Sequence, residues 1–552
     1  MALIDRLDEG IDRASQFVAA RARASGRIDG GCEGRALETG LFLHLVRARG
    51  DDPRCEARLA GYCRRYLERR RGVARGLDST VSEIICAHVL GGELSPAQRV
   101  ALDGTLAKFD HPTRRRKRAF FTVLLAELGV ISTPAIELSA ARARRSSEQR
   151  WVSVILTSLR ILIACQRGRA GEIGDDEVAF IRAQQGDGGG WDQHVLATIV
   201  ALIALDRLGR APDSVARGIA YVCRQIRRDG GVPFIADEDV WVTCLGGQVL
   251  DEARPSTCDL NAVARYVASL QAPDGGWAFS EGVRQTDADD TSVALTFLGR
   301  RDPVGHREAI RRAQWYLIAL QNEDGGFPTF VRGAPSEAEI TAKAITALRA
   351  SSASHFGGRI ERAWRWLADA QRDDGSFRAE WKLCATYPAL HVLSAAAVSD
   401  RGELVDRVRA GVRASLRAWR RADGGWGLRP EGGAVHLLST AYALAGLATD
   451  RDGLGRIELG RSVALLLEMQ GRDGGFHGAG DSLGPRPFVY DVPLLASIYS
   501  LCALSRARRA LLRHVHSGTA TRARPRPRLV ESSTTRARVG AGARRASEVW
   551  AR

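Results

Sequence analysis

Apolar and polar residues follow the period of α-helices through most of this chain. Arginine-, alanine- and leucine-rich stretches such as IERAWRWLADAQ (360–371) alternate with more apolar stretches such as AVHLLSTAYALAGLA (434–448). Runs of alternating β-branched residues, which are typical of strands, are nearly absent. The pattern predicts an all-α fold built from pairs of helices.

A short turn motif recurs between these helices, most fully as QAPDGGWAF (271–279). Its aspartates stand at positions 187, 229, 274, 324, 374, 423 and 473, in steps of 42, 45, 50, 50, 49 and 50 residues, and a weaker copy occupies 27–35. The glycines supply positive φ at the turn, and an aromatic residue precedes the next helix. The repeat predicts a closed or stacked array of helical hairpins. We interpret its Gln, Asp and aromatic residues as structural staples rather than catalytic groups.

One stretch departs from this pattern, EGVRQTDADDTSVAL (281–295). It places Asp287, Asp289 and Asp290 within four positions and Thr291 directly after them. Mutual repulsion makes such crowding costly. By itself the string fits a metal cage, a helix cap or a source of protons.

Net charge and composition narrow the function classes. The chain of 552 residues is long enough for two or more domains, and its formal net charge is +16. Residues 506–552 contain 13 arginines against two glutamates (13 − 2 = +11), so the rest carries only about +5. This distribution argues against nucleic-acid binding and for a disordered basic tail (511–552) that makes at most peripheral membrane contact.

Cysteine usage and the N-terminus indicate the compartment. The ten cysteines form no CxxC pair, which is typical of buried thiols in a reducing cytoplasm rather than a disulfide or zinc framework. No apolar run has the length of a membrane span, and the start of the chain lacks the features of a secretory signal. We therefore expect a cytoplasmic protein.

The Q…DGGW/F units resemble the QW repeats of squalene–hopene cyclases, oxidosqualene cyclases and class II diterpene cyclases. Directly after QAPDGGWAF, residues 287–291 (DADDT) fit the DxDDT signature of class II terpene cyclases. The resemblance covers about residues 25–505. It implies two α/α-toroid domains, 23–265 and 266–510, with an N-terminal helix (1–22) that joins the second. Zinc-dependent prenyltransferases and class I synthases are disfavoured, because the cysteines lack suitable neighbours and no DDxxD is present.

The resemblance implies that Asp289 donates a proton to an alkene, that Asp287 and Asp290 orient and polarise it, and that Thr291 caps the helix. An alkene is a very weak base, so the donor must hold its proton at neutral pH and its conjugate base must be stabilised. Burial of clustered carboxyls favours the first condition, and hydrogen bonds with a helix N-terminus favour the second. We expect Asp289 to be protonated at neutral pH.

A carbocation also needs a dry chamber lined by aromatic faces. The lining candidates are Trp241, Phe279, Trp381, Tyr387 and His391, although each is as plausible as an ordinary core residue. The segments around Trp241 and 381–391 resemble the corresponding aromatic segments of the cyclases.

The length resembles that of short bacterial class II cyclases of prenyl diphosphates, which implies a bicyclic diphosphate product for a separate class I enzyme. Geranylgeranyl diphosphate is the first expected substrate and farnesyl diphosphate the second; squalene or another neutral polyprenoid, and a non-catalytic lipid- or protein-binding toroid, stay open. No organic cofactor is expected, but a diphosphate calls for basic residues and Mg²⁺. Residues 237–239 (DED) fit metal ligands or a solvated loop, Arg284 fits a diphosphate contact or an exposed arginine, and the run 114–118 (RRRKR) fits an anion contact or a solvated face.

Overall fold

The computed structural model describes residues 2–69, 79–107, 114–139, 149–253, 258–351, 355–484 and 488–522. Residues 1–511 form one compact unit, and residues 512–552 form a second. Twenty-one α-helices lie within the described ranges, together with three two-stranded antiparallel pairings. The predicted all-α fold is confirmed.

Ten helices precede the helix that begins at Asp239. They are α1 (Ala2–Ala19), α2 (Ala36–Arg49), α3 (Pro53–Arg69), α4 (Ser79–Val89), α5 (Pro96–Ala107), α6 (Arg114–Glu127), α7 (Arg150–Gln166), α8 (Asp175–Gln184), α9 (Val195–Leu208) and α10 (Pro212–Gln225). A 3₁₀ turn (Ala170–Glu172) follows α7. Strands β1 (Gly34–Arg35) and β2 (Val232–Pro233) pair across this region.

The remaining helices carry the most regular repeats. They are α11 (Asp239–Ala253), α12 (Leu260–Ser269), α13 (Ala288–Arg301), α14 (Arg307–Leu320), α15 (Ala338–Ser351), α16 (Gly357–Ala370), α17 (Thr386–Val398), α18 (Glu403–Ala418), α19 (Leu437–Thr449), α20 (Arg456–Glu468) and α21 (Leu494–Arg522). Short strands β3 (Gly427–Arg429) and β4 (Gly432–Val435) form one hairpin. Strands β5 (Ser482–Leu483) and β6 (Val489–Tyr490) form another, in the register Ser482 with Tyr490.

Every second helix belongs to an inner layer. Helices α11, α13, α15, α17 and α19 pack in this order, each on the next, and nearly all their residues are buried. The intervening helices, such as α16 and α18, bury one face only. The two layers follow the sequence pattern, because the wholly apolar stretches are enclosed and the arginine-rich ones face outward. The arrangement confirms the predicted α/α-toroid.

The turn motif holds each hairpin to the next by fixed hydrogen bonds. In the copy before the acidic cluster, Gln271 Nε2 donates to the carbonyls of Gly275 and Ala309 (2.8 Å each). Gly275 has a φ of +93°, and a Cβ there would meet the backbone of the next outer helix. The Trp277 backbone N–H donates to Thr291 Oγ1 (3.0 Å), so the turn is tied to the inner helix that follows. The structural interpretation of the repeat is confirmed.

Helix α1 closes the array from the other end of the chain. Gln470 Nε2, in the last copy of the motif, donates to the Gly10 carbonyl (2.9 Å), which takes the place of the next outer helix. Helix α1 also packs on α11 and α20. The predicted domain boundaries near residues 265 and 510 stay predictions. Helix α21 continues to Arg522, so the first part of the expected disordered tail is helical; residues 523–552 lie outside the described part of the chain.

Candidate active site

The acidic cluster forms the N-terminus of the inner helix α13. Asp287 is the N-cap: its Oδ1 accepts the backbone N–H of Asp290 (2.8 Å). Asp287 and Asp290 are buried, and Asp290 Oδ1 has no hydrogen-bond partner among the described residues. Burial raises the pKa of Asp287 to about 7. Burial is the main reason, and the neighbouring Asp287 carboxyl the second, why the pKa of Asp290 is raised well above its usual range. These two carboxyls therefore retain a proton where an exposed aspartate would have lost it.

Asp289 has a different environment. Its Oδ1 accepts a hydrogen bond from Lys343 Nζ (2.6 Å), which projects from the middle of helix α15. Lys343 is only 5% exposed and also donates to the Tyr387 hydroxyl (2.7 Å). A buried ammonium at this distance stabilises the Asp289 carboxylate, the form that proton donation leaves behind. The structure thus supplies the conjugate-base condition with a lysine rather than with the helix N-terminus alone.

The three aspartates line an inner cavity of about 100 Å³. Of the residues expected from the sequence, Trp241, Phe279, Trp381 and Tyr387 line it as well. Other aromatic side chains complete the wall, namely Trp151, His194, Phe234, Phe330 and Tyr490. The ring faces suit a migrating cation, because each carries negative potential toward the cavity.

The inner cavity adjoins an outer one of about 380 Å³, since Trp151, Phe234, Phe330 and Trp381 line both. The outer cavity is largely apolar, but Arg116, Lys117 and Arg378 lie in its wall, with Glu337 and Glu380. Lys117 belongs to the basic run 114–118 and is only 8% exposed, so the solvated-face interpretation of the run is wrong at this residue. Apolar walls that also contain cations suit a chain with an anionic head.

Three expected site residues do not reach the inner cavity. The Arg284 side chain is exposed and turns to the Gln184 carbonyl and to Asp192. Thr291 is fully buried and accepts from Trp277, so the expectation that it caps the helix is wrong: Asp287 is the cap. His391 stacks edge-on against Tyr387 and lines a separate cavity of about 80 Å³ behind Lys343.

The acidic segment 237–239 is held by contacts within the protein. Asp237 and Asp239 lie within 3.4 Å and 3.1 Å of the Arg27 guanidinium, whereas Glu238 faces the inner cavity and accepts a hydrogen bond from Tyr490. Glu238 and Asp239 are buried, so the solvated-loop alternative is wrong at these two residues, and a role in metal binding stays a prediction. Among the described residues, no group of three or more His, Cys, Asp or Glu side chains is placed to hold a metal ion.

The sequence analysis did not identify the lysines as site residues, although the rarity of lysine among the basic residues sets them apart. The chain has 80 basic residues, and only four of them are lysines: Lys108, Lys117, Lys343 and Lys382. Lys108 lies outside the described residues, and each of the other three lines one of the two cavities or contacts Asp289. Lys382 is 3% exposed and stands over the Trp241 ring, 4.9 Å from its centroid. A compact ammonium fits a narrow chamber that a planar guanidinium would overfill.

Comparison with known proteins identifies a family and two relatives that resemble this chain. The family described as "Prenyltransferase alpha-alpha toroid domain" matches residues 135–378 and 381–492, which is more than half of the chain. A drimenyl diphosphate synthase of Streptantibioticus cattleyicolor is 35% identical over 514 residues, covering 90% of this chain and 94% of that protein. A drimenyl diphosphate synthase of Streptomyces showdoensis is 35% identical over 509 residues, covering 90% and 93%.

The fold is also found in a solved structure. The ent-copalyl diphosphate synthase of Streptomyces platensis superposes with a TM-score of 0.55 at 17% identity, covering 92% of this chain and 99% of that one. This likeness concerns the arrangement of helices alone. In the described part of the chain, no helix combines the length and the apolar character needed to cross a lipid bilayer.

Proposed function

This chain belongs to the class II terpene cyclases of the α/α-toroid family, and we propose that it cyclises a linear isoprenyl diphosphate to a bicyclic diphosphate. The observation that carries the proposal is the Asp289–Lys343 pair at an aromatic inner cavity that adjoins a larger one with cations in its wall. The cavity walls supply the dry, cation-stabilising surroundings that such a reaction needs.

The reaction begins when Asp289 gives its proton to the terminal double bond. The carboxyl O–H bond breaks, the alkene π pair forms a new C–H bond, and a tertiary cation remains. Lys343 stabilises the carboxylate that is left. Asp287 and Asp290, which retain a proton because burial raises the pKa of each, lie beside Asp289 to return one.

Ring closure follows without further protein chemistry. Two alkene π pairs attack successive cationic carbons, and each step moves the positive charge along the folded chain. The faces of Trp241, Phe279, Phe330 and Trp381 stabilise this charge and hold the chain folded. The diphosphate stays intact, because no step draws on its C–O bond.

The diphosphate is placed in the outer cavity. Arg116, Lys117 and Arg378 are the cations of its wall and supply charge-assisted hydrogen bonds to phosphate oxygens. Their presence favours a charged substrate over squalene or another neutral polyprenoid. Mg²⁺ would neutralise part of the diphosphate charge, and in this structure Asp237 and Asp239 are paired with Arg27. A magnesium requirement and a cytoplasmic location stay predictions.

Chain length is the finer part of the proposal. Drimenyl is a bicyclic fifteen-carbon group, and the two curated relatives are named for drimenyl diphosphate. This favours farnesyl diphosphate as the substrate over geranylgeranyl diphosphate, which the sequence alone placed first. A class of enzyme that ionises or hydrolyses allylic or homoallylic diphosphates would consume the product.

The test is a competition of substrates. Purified protein is incubated with Mg²⁺ and either farnesyl diphosphate, geranylgeranyl diphosphate or squalene, and the dephosphorylated products are analysed by gas chromatography and mass spectrometry. We expect a bicyclic fifteen-carbon alcohol, and a higher kcat/KM for farnesyl than for geranylgeranyl diphosphate. Products from squalene alone would contradict the proposal, and no product from any of the three would favour a binding protein.

A further inference from the structure

Class II cyclisation ends when a proton leaves the last cation, and the acidic cluster has given its proton at that moment. We propose that Glu238 is the base that accepts it. The inference rests on the proposed function. It adds a second catalytic residue, which precedes the acid in the sequence. It starts from an oxygen atom that the fold leaves without a partner.

Glu238 lies directly before helix α11, and 6% of its surface is exposed. Its Oε1 accepts the Tyr490 hydroxyl, which fixes the carboxyl against the cavity wall. Its Oε2 is buried and has no hydrogen-bond partner among the described residues. A buried carboxylate oxygen without a donor costs free energy, so its persistence indicates a ligand or a reacting group in the cavity that it lines.

Glu238 differs from its two acidic neighbours in the direction of its side chain. Asp237 and Asp239 flank it in sequence but turn to Arg27. Glu238 alone of the three turns inward, where Lys382 is the charge that most lowers its pKa and Asp289 and Lys343 act on it more weakly. The carboxyl thus faces the same cavity as the acid and is electrostatically coupled to it.

Other polar groups of the inner cavity are less suited to accept the proton. Asp287 accepts a backbone N–H and Asp289 accepts Lys343. Asp290 Oδ1 is also buried without a partner among the described residues, but burial raises the pKa of Asp290 well above its usual range, so this carboxyl keeps its own proton and is a poor acceptor. His194 Nδ1 accepts the Ala197 N–H, so its other ring nitrogen carries the hydrogen and has no lone pair to offer. Among the described lining residues, Glu238 is the carboxyl outside the acidic cluster.

Glu337, in the outer cavity, is the nearest rival. Its Oε2 already accepts Thr329 Oγ1 and Trp381 Nε1. Burial also raises the pKa of Glu337 to about 8, so it is mostly neutral at pH 7 and a poor acceptor. Burial raises the pKa of Glu238 as well, but Lys382 and the Tyr490 hydroxyl oppose that shift and favour the ionised form.

The proposed step balances atoms and charge. A C–H bond next to the cationic carbon breaks, its electron pair forms the product double bond, and the proton goes to Glu238 Oε2. One proton enters from Asp289 and one leaves to Glu238, so the overall reaction is an isomerisation. Glu238 then returns the proton to water that enters when the product leaves, or to the acidic cluster.

Glu238→Gln tests the proposal, because glutamine keeps the shape and the acceptor for Tyr490 but removes the base. With farnesyl diphosphate we expect substrate consumption to persist while the wild-type alkene falls at least about tenfold as a fraction of product. Two kinds of product replace it, since the cation now has no fixed acceptor. Products captured by water appear as diols after dephosphorylation, and the others are isomeric alkenes. Glu238→Asp, which keeps a carboxylate, is expected to restore part of the wild-type alkene.

A matched variant accompanies it. Asp237→Asn removes the adjacent carboxylate that turns away from the cavity, and its product set is expected to equal that of the wild type. An unchanged product set in Glu238→Gln overturns the inference, and so does loss of all substrate consumption in a folded variant. An inert wild-type protein would instead contradict the proposed function.

Discussion

At the scale of single residues, the three aspartates of one motif have three different tasks. Asp287 caps helix α13, Asp290 is enclosed behind it, and Asp289 faces the cavity with Lys343 as its partner. Sequence spacing identified the cluster, and the resemblance to class II cyclases implied that Asp289 is the acid, but the spacing is the same whether or not a lysine stands opposite. That lysine is 54 residues away and arrives only through the packing of α13 on α15.

Lys343→Met tests the role of this partner. A hydrogen bond to a charged group contributes about 1.5–3 kcal/mol, so we expect kcat to fall about 10- to 100-fold while KM changes little. Lys343→Arg is expected to stay impaired, because the guanidinium is larger and planar. Lys382→Met, in the same chamber but bonded to Ser482, provides the comparison. A larger loss of kcat in Lys382→Met than in Lys343→Met would show that Lys343 is not the lysine that stabilises the Asp289 carboxylate.

The raised pKa of Asp287 makes stability depend on pH. A buried carboxyl whose pKa rises from 3.8 to about 7 on folding binds more protons in the folded state between these values. Its contribution is complete below the unfolded pKa and is lost as pH rises through about 7. We expect the free energy of unfolding to decrease from pH 5 to pH 8, and to decrease less in Asp287→Asn, which keeps the cap.

Urea unfolding at several pH values in this window measures both proteins. Asp237, Glu337 and Asp491 also have raised pKa values, of about 6, 8 and 7, so the difference between wild type and variant is the informative quantity. Identical pH profiles for the two proteins would remove Asp287 from the account.

At the scale of elements, the sequence predicted the hairpins because their signals are local. Helical periodicity, glycine at positive φ and the glutamine at a helix end all act within one repeat. The inner and outer layers also followed from which stretches are wholly apolar. The direction of individual side chains did not. Arg284 was misassigned because Asp192, from another repeat, draws its side chain, and Thr291 because its hydroxyl accepts the Trp277 N–H of the preceding turn.

Thr291→Val is the element-scale experiment. It leaves the buried Trp277 N–H without its acceptor, so we expect a loss of about 1–3 kcal/mol in the free energy of unfolding. Thr440→Val removes the same bond from Trp426 in a later repeat and should cost a similar amount. Only Thr291→Val is expected to lower kcat as well, because its turn precedes the acidic helix. Equal effects on kcat would show that the loss is one of general stability.

At the scale of the whole molecule, the N-terminal helix meets the last copy of the turn motif. Helix α1 supplies the carbonyl that the last glutamine needs, and Leu7, Ile11 and Val18 are buried against the core. The resemblance to known cyclases implied a helix joined to the second toroid, but the local periodicity of residues 1–22 does not say where that helix packs. Its position rests on contacts across more than 450 residues.

Leu7→Ala measures how much this closure contributes. A buried leucine truncated to alanine costs about 2–5 kcal/mol in the free energy of unfolding. The exposed Glu9 on the same helix provides the control, and Glu9→Ala is expected to stay within about 0.5 kcal/mol of wild type. Urea unfolding checks both; equal small effects would mean that α1 is not part of the cooperative unit.

The central claim is that Asp289 passes a solvent-derived proton to the terminal alkene, and deuterium labelling tests it most directly. The reaction is run in D₂O with farnesyl diphosphate, and the product is examined by mass spectrometry for wild type and Asp289→Asn. We expect the wild-type product to carry one deuterium, on the ring carbon next to the quaternary carbon that bears two methyl groups, and no product from the variant above the no-enzyme control. An unlabelled product, or a labelled one formed by Asp289→Asn at the wild-type rate, would contradict the account.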